Sequence, residues 1–150
     1  MPVYSIREEV VVPATPDECF AAMTDYERLP QWQRAVSRCT VLERDEQGRG
    51  SVVEYEIDAK VKCVRYRLRQ VYDEPRMLGS EYLGGDFREM HGAWYFEPGG
   101  ADATQVTLEL AIDPGRWVPR PIARVVEHAV AHRAVQDLER HMQRAGATSR

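Results

Sequence analysis

His128 and His132 stand four residues apart, a spacing that puts two imidazoles on one face of a helix and that can serve a metal. The order Glu127-His128-Ala129-Val130-Ala131-His132 lacks the metalloprotease arrangement, in which Glu follows the first His directly. No third ligand is evident, so the pair reads as the polar edge of an amphipathic helix, and neither a metal nor another cofactor is expected. His141, nearer the chain end, reads as a surface residue. Arg88, Glu89 and His91 form a second group: a cation, a carboxylate and an imidazole on one strand. Two orientations of that strand are open. If Met90, Gly92, Trp94 and Phe96 turn inward, Glu89 and His91 face water and Arg88 sits at a rim, where it can meet a carboxylate or phenolate. If the strand turns the other way, Glu89 and His91 become a buried acid/base pair and the place to look for catalysis. The larger apolar surfaces of Trp94 and Phe96 favour the first orientation. Nucleophilic catalysis has no support: the serines carry no Gly-x-Ser-x-Gly elbow, and Cys19, Cys39 and Cys63 have no legible His partner. The aromatics are the richest resource. Trp32, Tyr55, Tyr66, Tyr82, Trp94 and Trp117 are spread over the elements that would line a cavity, where rings supply apolar area and a hydroxyl or indole N–H fixes a polar end. Trp32 and Trp117 fall at element ends, suited to an entrance.

The elements that must position these groups are legible in outline. Tyr4 to Val12 is rich in β-branched residues and reads as a strand. Thr15-Pro16-Asp17-Glu18 is a capping box with Pro at the first helical position, so a helix is expected from Pro16 to about Thr24. Asp25 caps a short second turn, Tyr26 to Leu29, closed by Pro30. Period-two patterning then predicts strands over Val36–Arg44, Ser51–Lys60, Lys62–Tyr72, Met77–Leu83, Arg88–Glu97 and Gln105–Ile112. In the second of these Val53, Tyr55 and Ile57 share one face and Glu54, Glu56 and Asp58 the other. In the third, Tyr66 and Leu68 oppose Arg65, Arg67 and Arg69. Pairing the two apolar faces sets three acids against three arginines, each pair adding a few tenths of a kcal/mol. Pro121 opens the longest helix, Ile122 to about Arg144, roughly 35 Å long at 1.5 Å per residue. Its row Ile122, Val126, Val130, Ala134, Leu138 and Met142, joined by Val125 and Ala129, is an apolar stripe. Helix is expected to stop near Gly146, with the last residues frayed.

Length and composition narrow the class. The chain has 150 residues, which suits one domain spanning 1–150 and can bury a core without staples. The net charge of -4 gives no basic footprint for nucleic acid. An odd cysteine count without C-x-x-C spacing fits a reduced cytoplasmic setting, each thiol packing as a small hydrophobe. Neither a signal peptide nor an apolar run long enough for a membrane span is seen.

The run Thr15-Pro16-Asp17-Glu18-Cys19-Phe20, the segment Asp25-Tyr26-Glu27-Arg28-Leu29-Pro30-Gln31-Trp32, Gly92 ahead of Trp94-Tyr95-Phe96, Thr104-Gln105-Val106 after a Gly loop, and Asp113-Pro114-Gly115 before a Pro-led helix together resemble the START-related (SRPBCC, Bet v 1-like) superfamily. Within it the polyketide cyclase/dehydrase and coenzyme Q-binding families are the most similar. The resemblance implies an α+β helix-grip fold: a curved antiparallel sheet wrapped around a long C-terminal helix, with two short N-terminal helices and a cavity between sheet and long helix. Members bind lipids, quinones, sterols or polyketides, and some catalyse cyclisation or hydrolysis. The expected ligand surface is Trp32, Val53, Tyr55, Ile57, Tyr66, Leu68, Tyr82, Arg88, Met90, Trp94, Trp117, Val125 and Ala129. The first expectation is binding or transport of a hydrophobic small molecule, a polyketide, quinone or lipid. The alternative is an aromatic polyketide cyclase/dehydratase working through Arg88, Glu89 and His91. A third is a protein-interaction role of the ribosome-associating toxin type. An enzyme needs a titratable group facing the cavity with a partner in reach; a carrier needs only an apolar cavity.

Overall fold

The computed structural model describes residues 6–58, 62–116 and 118–149. The first strand, β1, spans Ile6–Val12. Helix α1, Pro16–Thr24, starts on the expected capping box: the Glu18 N–H donates to Thr15 Oγ1, and Glu18 Oε1 accepts from the Thr15 N–H. A 3-10 turn, Tyr26–Arg28, leads into the single helical turn α2, Leu29–Trp32. Six strands follow: β2 Val36–Arg44, β3 Gly50–Asp58, β4 Cys63–Asp73, β5 Met77–Gly85, β6 Glu89–Pro98 and β7 Thr104–Asp113. Helix α3 is Arg120–Ser149. It begins before Ile122 and continues through Gly146, beyond the expected stop, because one glycine lowers helix propensity by only about 1 kcal/mol.

All seven strands form one antiparallel sheet in the order β1-β7-β6-β5-β4-β3-β2. Consecutive strands from β2 to β7 are neighbours, as short connections require, and β1 closes the far edge against β7. The fold is therefore the α+β helix-grip arrangement, with α3 packed on the β1 and β7 side of the sheet and α1 and α2 on the remainder.

The β3–β4 register differs in one respect from expectation. Glu54 opposes Arg67 and Glu56 opposes Arg65, with salt bridges of 2.9 and 3.1 Å. Asp58 opposes Cys63 and Val52 opposes Arg69, so the third pair does not form, and Arg69 binds Glu81 on β5 at 3.2 Å. The inward face decided this register: Tyr55 stacks on Tyr66 with centroids 5.4 Å apart, and Ile57 opposes Val64. Burial of those side chains outweighs an exposed ion pair worth at most about 1 kcal/mol. The turn expected at Val61, like Tyr4 and Trp117, lies outside the described residues.

Strands β5 and β6 pair only over Met77–Ser80 with Gly92–Tyr95, then diverge. Phe87, 3% exposed, fills the gap, and the Tyr82 hydroxyl donates to its carbonyl at 2.7 Å. Gly85 makes the β4–β5 approach possible: it sits at φ 146°, and a Cβ there would come within 2.4 Å of the Arg65 carbonyl oxygen.

Candidate functional site

On β6, Met90, Gly92 and Trp94 face inward, so Glu89 and His91 lie on the outer face; Arg88, just before the strand, is solvent-exposed. Glu89 and His91 pair with each other at 3.2 Å in solvent, and Arg88 reaches Asp113 at 3.8 Å. The acid/base group proposed from the strand pattern is thereby outside the space between sheet and helix.

That space is a cavity of about 120 Å³. The sheet contributes Tyr55, Ile57, Tyr66, Leu68, Gln70, Leu78, Gly79, Ser80, Met90, Gly92, Trp94, Leu108 and Leu110; α3 contributes Val130 and Ala134; α1 contributes Met23 and α2 Leu29, with Gln33, Ala35 and Val36 after it. The cavity exists because small residues meet at the sheet centre. Ser80 pairs with Gly92 in register, and a Cβ on Gly92 would have its nearest contact, Leu110 Cδ1, at 3.5 Å, ordinary van der Waals distance. Larger side chains at these two places would close it.

No Asp, Glu, His, Lys or Arg side chain lines the cavity among the described residues. Its polar atoms are neutral. Gln33 Nε2 donates to the Ala134 carbonyl of α3 at 3.0 Å, and Ser80 Oγ donates to the Gly92 carbonyl at 3.2 Å. Gln70 Nε2 donates to the Tyr55 hydroxyl at 2.8 Å. Burial pushes the Tyr55 and Tyr66 hydroxyls above the ordinary phenol range, with nearby Cys39 and ring hydroxyls adding to the effect. Both are protonated at neutral pH and serve as donors rather than bases. Burial likewise holds the Cys39 thiol up at about 12 and the Cys19 thiol at about 11, so neither is a nucleophile at neutral pH. Cys63, expected to be packed, is exposed, since it occupies an outward position at the start of β4.

One wall is held by buried polar bonds. Asp137 of α3, 2% exposed, accepts from the Arg34 backbone N–H at 2.8 Å and from Arg34 Nε at 2.9 Å. With the Gln33 bond, these tie the segment after α2 to the long helix and keep Leu29, Ala35 and Val36 against the cavity. Elsewhere on α3, Glu127 is 1% exposed; its Oε2 accepts from the Ile112 N–H at 2.7 Å, while Oε1 has no partner among the described residues. Burial raises its pKa above the usual glutamate value.

Of the residues expected at the ligand surface, Tyr55, Ile57, Tyr66, Leu68, Met90 and Trp94 line this cavity. Val53 faces the same side but is sealed under Tyr26, Leu29 and Cys39. Trp32 stands beyond the lining, stacked on His141 at 4.3 Å, which also makes His141 a packed residue and not a plain surface one. Tyr82 is spent on the Phe87 carbonyl and Arg88 is outside. Val125 is 64% exposed, and with Ala129 it lines an outer groove shared with Glu8, His128 and His132. The helix seats its Val126, Val130 and Ala134 side inward because β1 and β7 lie under it, which rotates Val125 and Ile122 to solvent. His132 Nδ1 meets Glu8 at 3.1 Å, and among the described residues no cluster of three His, Cys, Asp or Glu is arranged to hold a metal. Gln33 and Gln70 escaped the sequence reading. Gln70 had a signal: it continues the inward series Val64, Tyr66, Leu68 as the one polar member. Gln33 had none, since it belongs to a connection.

A larger groove on the convex face, between Glu54, Glu56, Arg65, Arg67 and Gly84–Asp86, is open to solvent and walled by charges already paired. It offers no apolar enclosure. No helix among the described residues is long and apolar enough to cross a membrane.

Comparison with known proteins places this geometry. The chain superposes on a START superfamily protein from Mycobacterium smegmatis with a TM-score of 0.86 at 20% identity, covering 94% of this chain and 98% of that one. It superposes on the Zhui aromatase/cyclase from Streptomyces sp. R1128 with a TM-score of 0.83 at 16% identity, covering 95% of each. At these identities the likeness is one of fold. A curated relative, the ribosome association toxin RatA of Pseudomonas aeruginosa, is 26% identical over 110 residues, covering 72% of this chain and 74% of its own. The family model described as polyketide cyclase / dehydrase and lipid transport matches residues 12–139, nearly the whole curved sheet and most of α3, and the chain belongs to that family.

Proposed function

We propose that this protein binds and carries an uncharged hydrophobic small molecule in the cavity between sheet and α3, in a reducing cytoplasmic setting. The observation that carries the reading is the lining itself: apolar side chains and neutral polar groups, without an ionisable carboxylate, imidazole, amine or guanidinium among the described residues. General acid/base catalysis needs a group that exchanges a proton near neutral pH within hydrogen-bond reach of the substrate. Tyr55 and Tyr66, held protonated, do not meet that need; Glu89 and His91 stand on the opposite face of β6, and Arg88, just before it, is solvent-exposed and outside the lining. The cyclase reading is therefore the weaker one. A ribosome-associating role draws only on the name of a relative at 26% identity, with no surface feature behind it.

Size limits the ligand. An apolar cavity of about 150 Å³ holds one benzene ring, so 120 Å³ admits a single ring or a short chain as it stands. A fused polyketide or a quinone with its tail exceeds that volume. Native mass spectrometry of protein purified gently from its own host is the test. A co-purified mass that organic extraction removes, on a chain that does not alter it during incubation, is the expected result. A bare chain that is also not thermally stabilised by a panel of small apolar compounds would overturn the proposal.

A further inference from the structure

The polar groups of the cavity are unequally committed. Gln33 is bonded to the Ala134 carbonyl and Ser80 to the Gly92 carbonyl, so both hold backbone. Tyr55 and Gln70 are bonded only to each other: Gln70 Nε2 donates to the Tyr55 oxygen at 2.8 Å, and the Tyr55 proton has no acceptor among the described residues. The count does not depend on which way the amide is drawn. In the orientation given, the pair leaves the Tyr55 O–H and one Gln70 N–H to donate. With the amide reversed, the Tyr55 O–H goes to Gln70 and both amide hydrogens are left. Either way a donor pair faces an apolar space, with Gln70 8% exposed. Buried donors without acceptors are costly and uncommon in packed interiors. The sequence makes the placement sharper. On the inward face of β4, where Val64, Tyr66 and Leu68 are apolar, a leucine at 70 would have continued the row.

We infer that Tyr55 and Gln70 are the polar anchor of the cavity, and that they take the neutral oxygen, hydroxyl or carbonyl, of a ring-sized ligand. This deepens the reading above and rests on it. The same surroundings disfavour a carboxylate. Its charge would lose hydration in a pocket with no cation to receive it. A hydroxyl or carbonyl oxygen accepts from the Tyr55 O–H while the ring lies against Leu68, Met90 and Leu110.

Phenol and toluene test this, because they match in size and differ only in the oxygen. Binding of each is followed by amide chemical-shift titration of the intact protein at neutral pH, where phenol is uncharged. Phenol is expected to bind about tenfold more tightly than toluene, the ratio one net hydrogen bond supplies. The double variant Tyr55→Phe/Gln70→Leu, which removes every donor of the pair, is expected to erase that ratio while toluene binding persists, which also reports that the variant is folded and its cavity intact. Equal affinities in the wild type, or a ratio that survives the double variant, overturns the anchor and leaves the binding reading standing. Benzoate binding as tightly as phenol overturns the neutral-ligand assignment. If neither phenol nor toluene perturbs the cavity residues, the binding reading itself falls, and the anchor with it.

Discussion

Gly92 is the position at which cavity and stability are opposed most directly. It lies inward on β6, opposite Ser80, and its backbone is not in the left-handed region, so alanine is conformationally acceptable. A Cβ there would meet Leu110 Cδ1 at 3.5 Å, Ser80 Oγ at 3.8 Å and the Glu109 carbonyl at 3.9 Å, contacts without overlap. Gly92→Ala thus places one methyl in open space of about 120 Å³. Burying the methyl contributes about 0.8 kcal/mol, and replacing a strand glycine by alanine contributes about 0.5–1 kcal/mol. The expected gain is about 1.5 kcal/mol, which for a chain of this size raises Tm by about 3–6 °C. The same methyl crowds any ring in the cavity, and toluene should bind at least about fivefold more weakly, since one group too many in a packed site costs about 1–3 kcal/mol. Urea unfolding gives the first quantity and the chemical-shift titration the second. A destabilised variant would show that the space is not free as described. A stabilised variant with unchanged toluene affinity would show that probes bind elsewhere, and the assignment of the cavity as the ligand site would be refuted.

Other outcomes follow from the buried polar groups and the charged strands. Asp137→Ala should lower stability by about 2–4 kcal/mol, because it strips the Arg34 N–H and guanidinium of a buried acceptor. Arg34→Ala should cost less, about 1–3 kcal/mol, because the buried Asp137 carboxylate keeps the Arg34 backbone N–H and Arg140 at 3.6 Å; a cost above that of Asp137→Ala in urea melts would contradict this account. The raised pKa of Glu127 means that the folded chain holds this proton more tightly than the unfolded one. Its contribution to stability is full below the ordinary value of 4.5 and is lost as pH rises through the folded pKa. Glu127→Gln keeps an acceptor for the Ile112 N–H and carries no charge. It should exceed the wild type in stability at pH values above that transition, and the difference should vanish in acid; a pH-independent difference in urea midpoints would remove the argument. A double-mutant cycle on Glu54 and Arg67 should return a coupling of about 0.2–1 kcal/mol that falls with added salt. A larger, salt-insensitive value would mean that the pair is shielded from solvent.

The sequence by itself determined the elements and their faces. The capping box at Thr15, the period-two runs and the 3.6-period stripe act through local chemistry and through which side of each element is apolar, and both are written in neighbouring residues. Even the Met90, Gly92, Trp94 and Phe96 parity, which puts Glu89 and His91 outside, follows from comparing the apolar surface on the two sides of one strand. What only the tertiary structure decided was how those faces meet. The rotation of α3 is set by β1 and β7 beneath it, so Val130 and Ala134 reach the cavity while Val125 is in solvent. Val53 is apolar and inward, yet Tyr26 and Leu29 arrive from another part of the chain to cover it. Gln33 lines the cavity because a connection is drawn onto α3 by a hydrogen bond to a residue 101 positions away. The cavity is what remains where side chains from separate elements fail to meet. Its volume is a difference between contributions distant in sequence, and no local pattern encodes it.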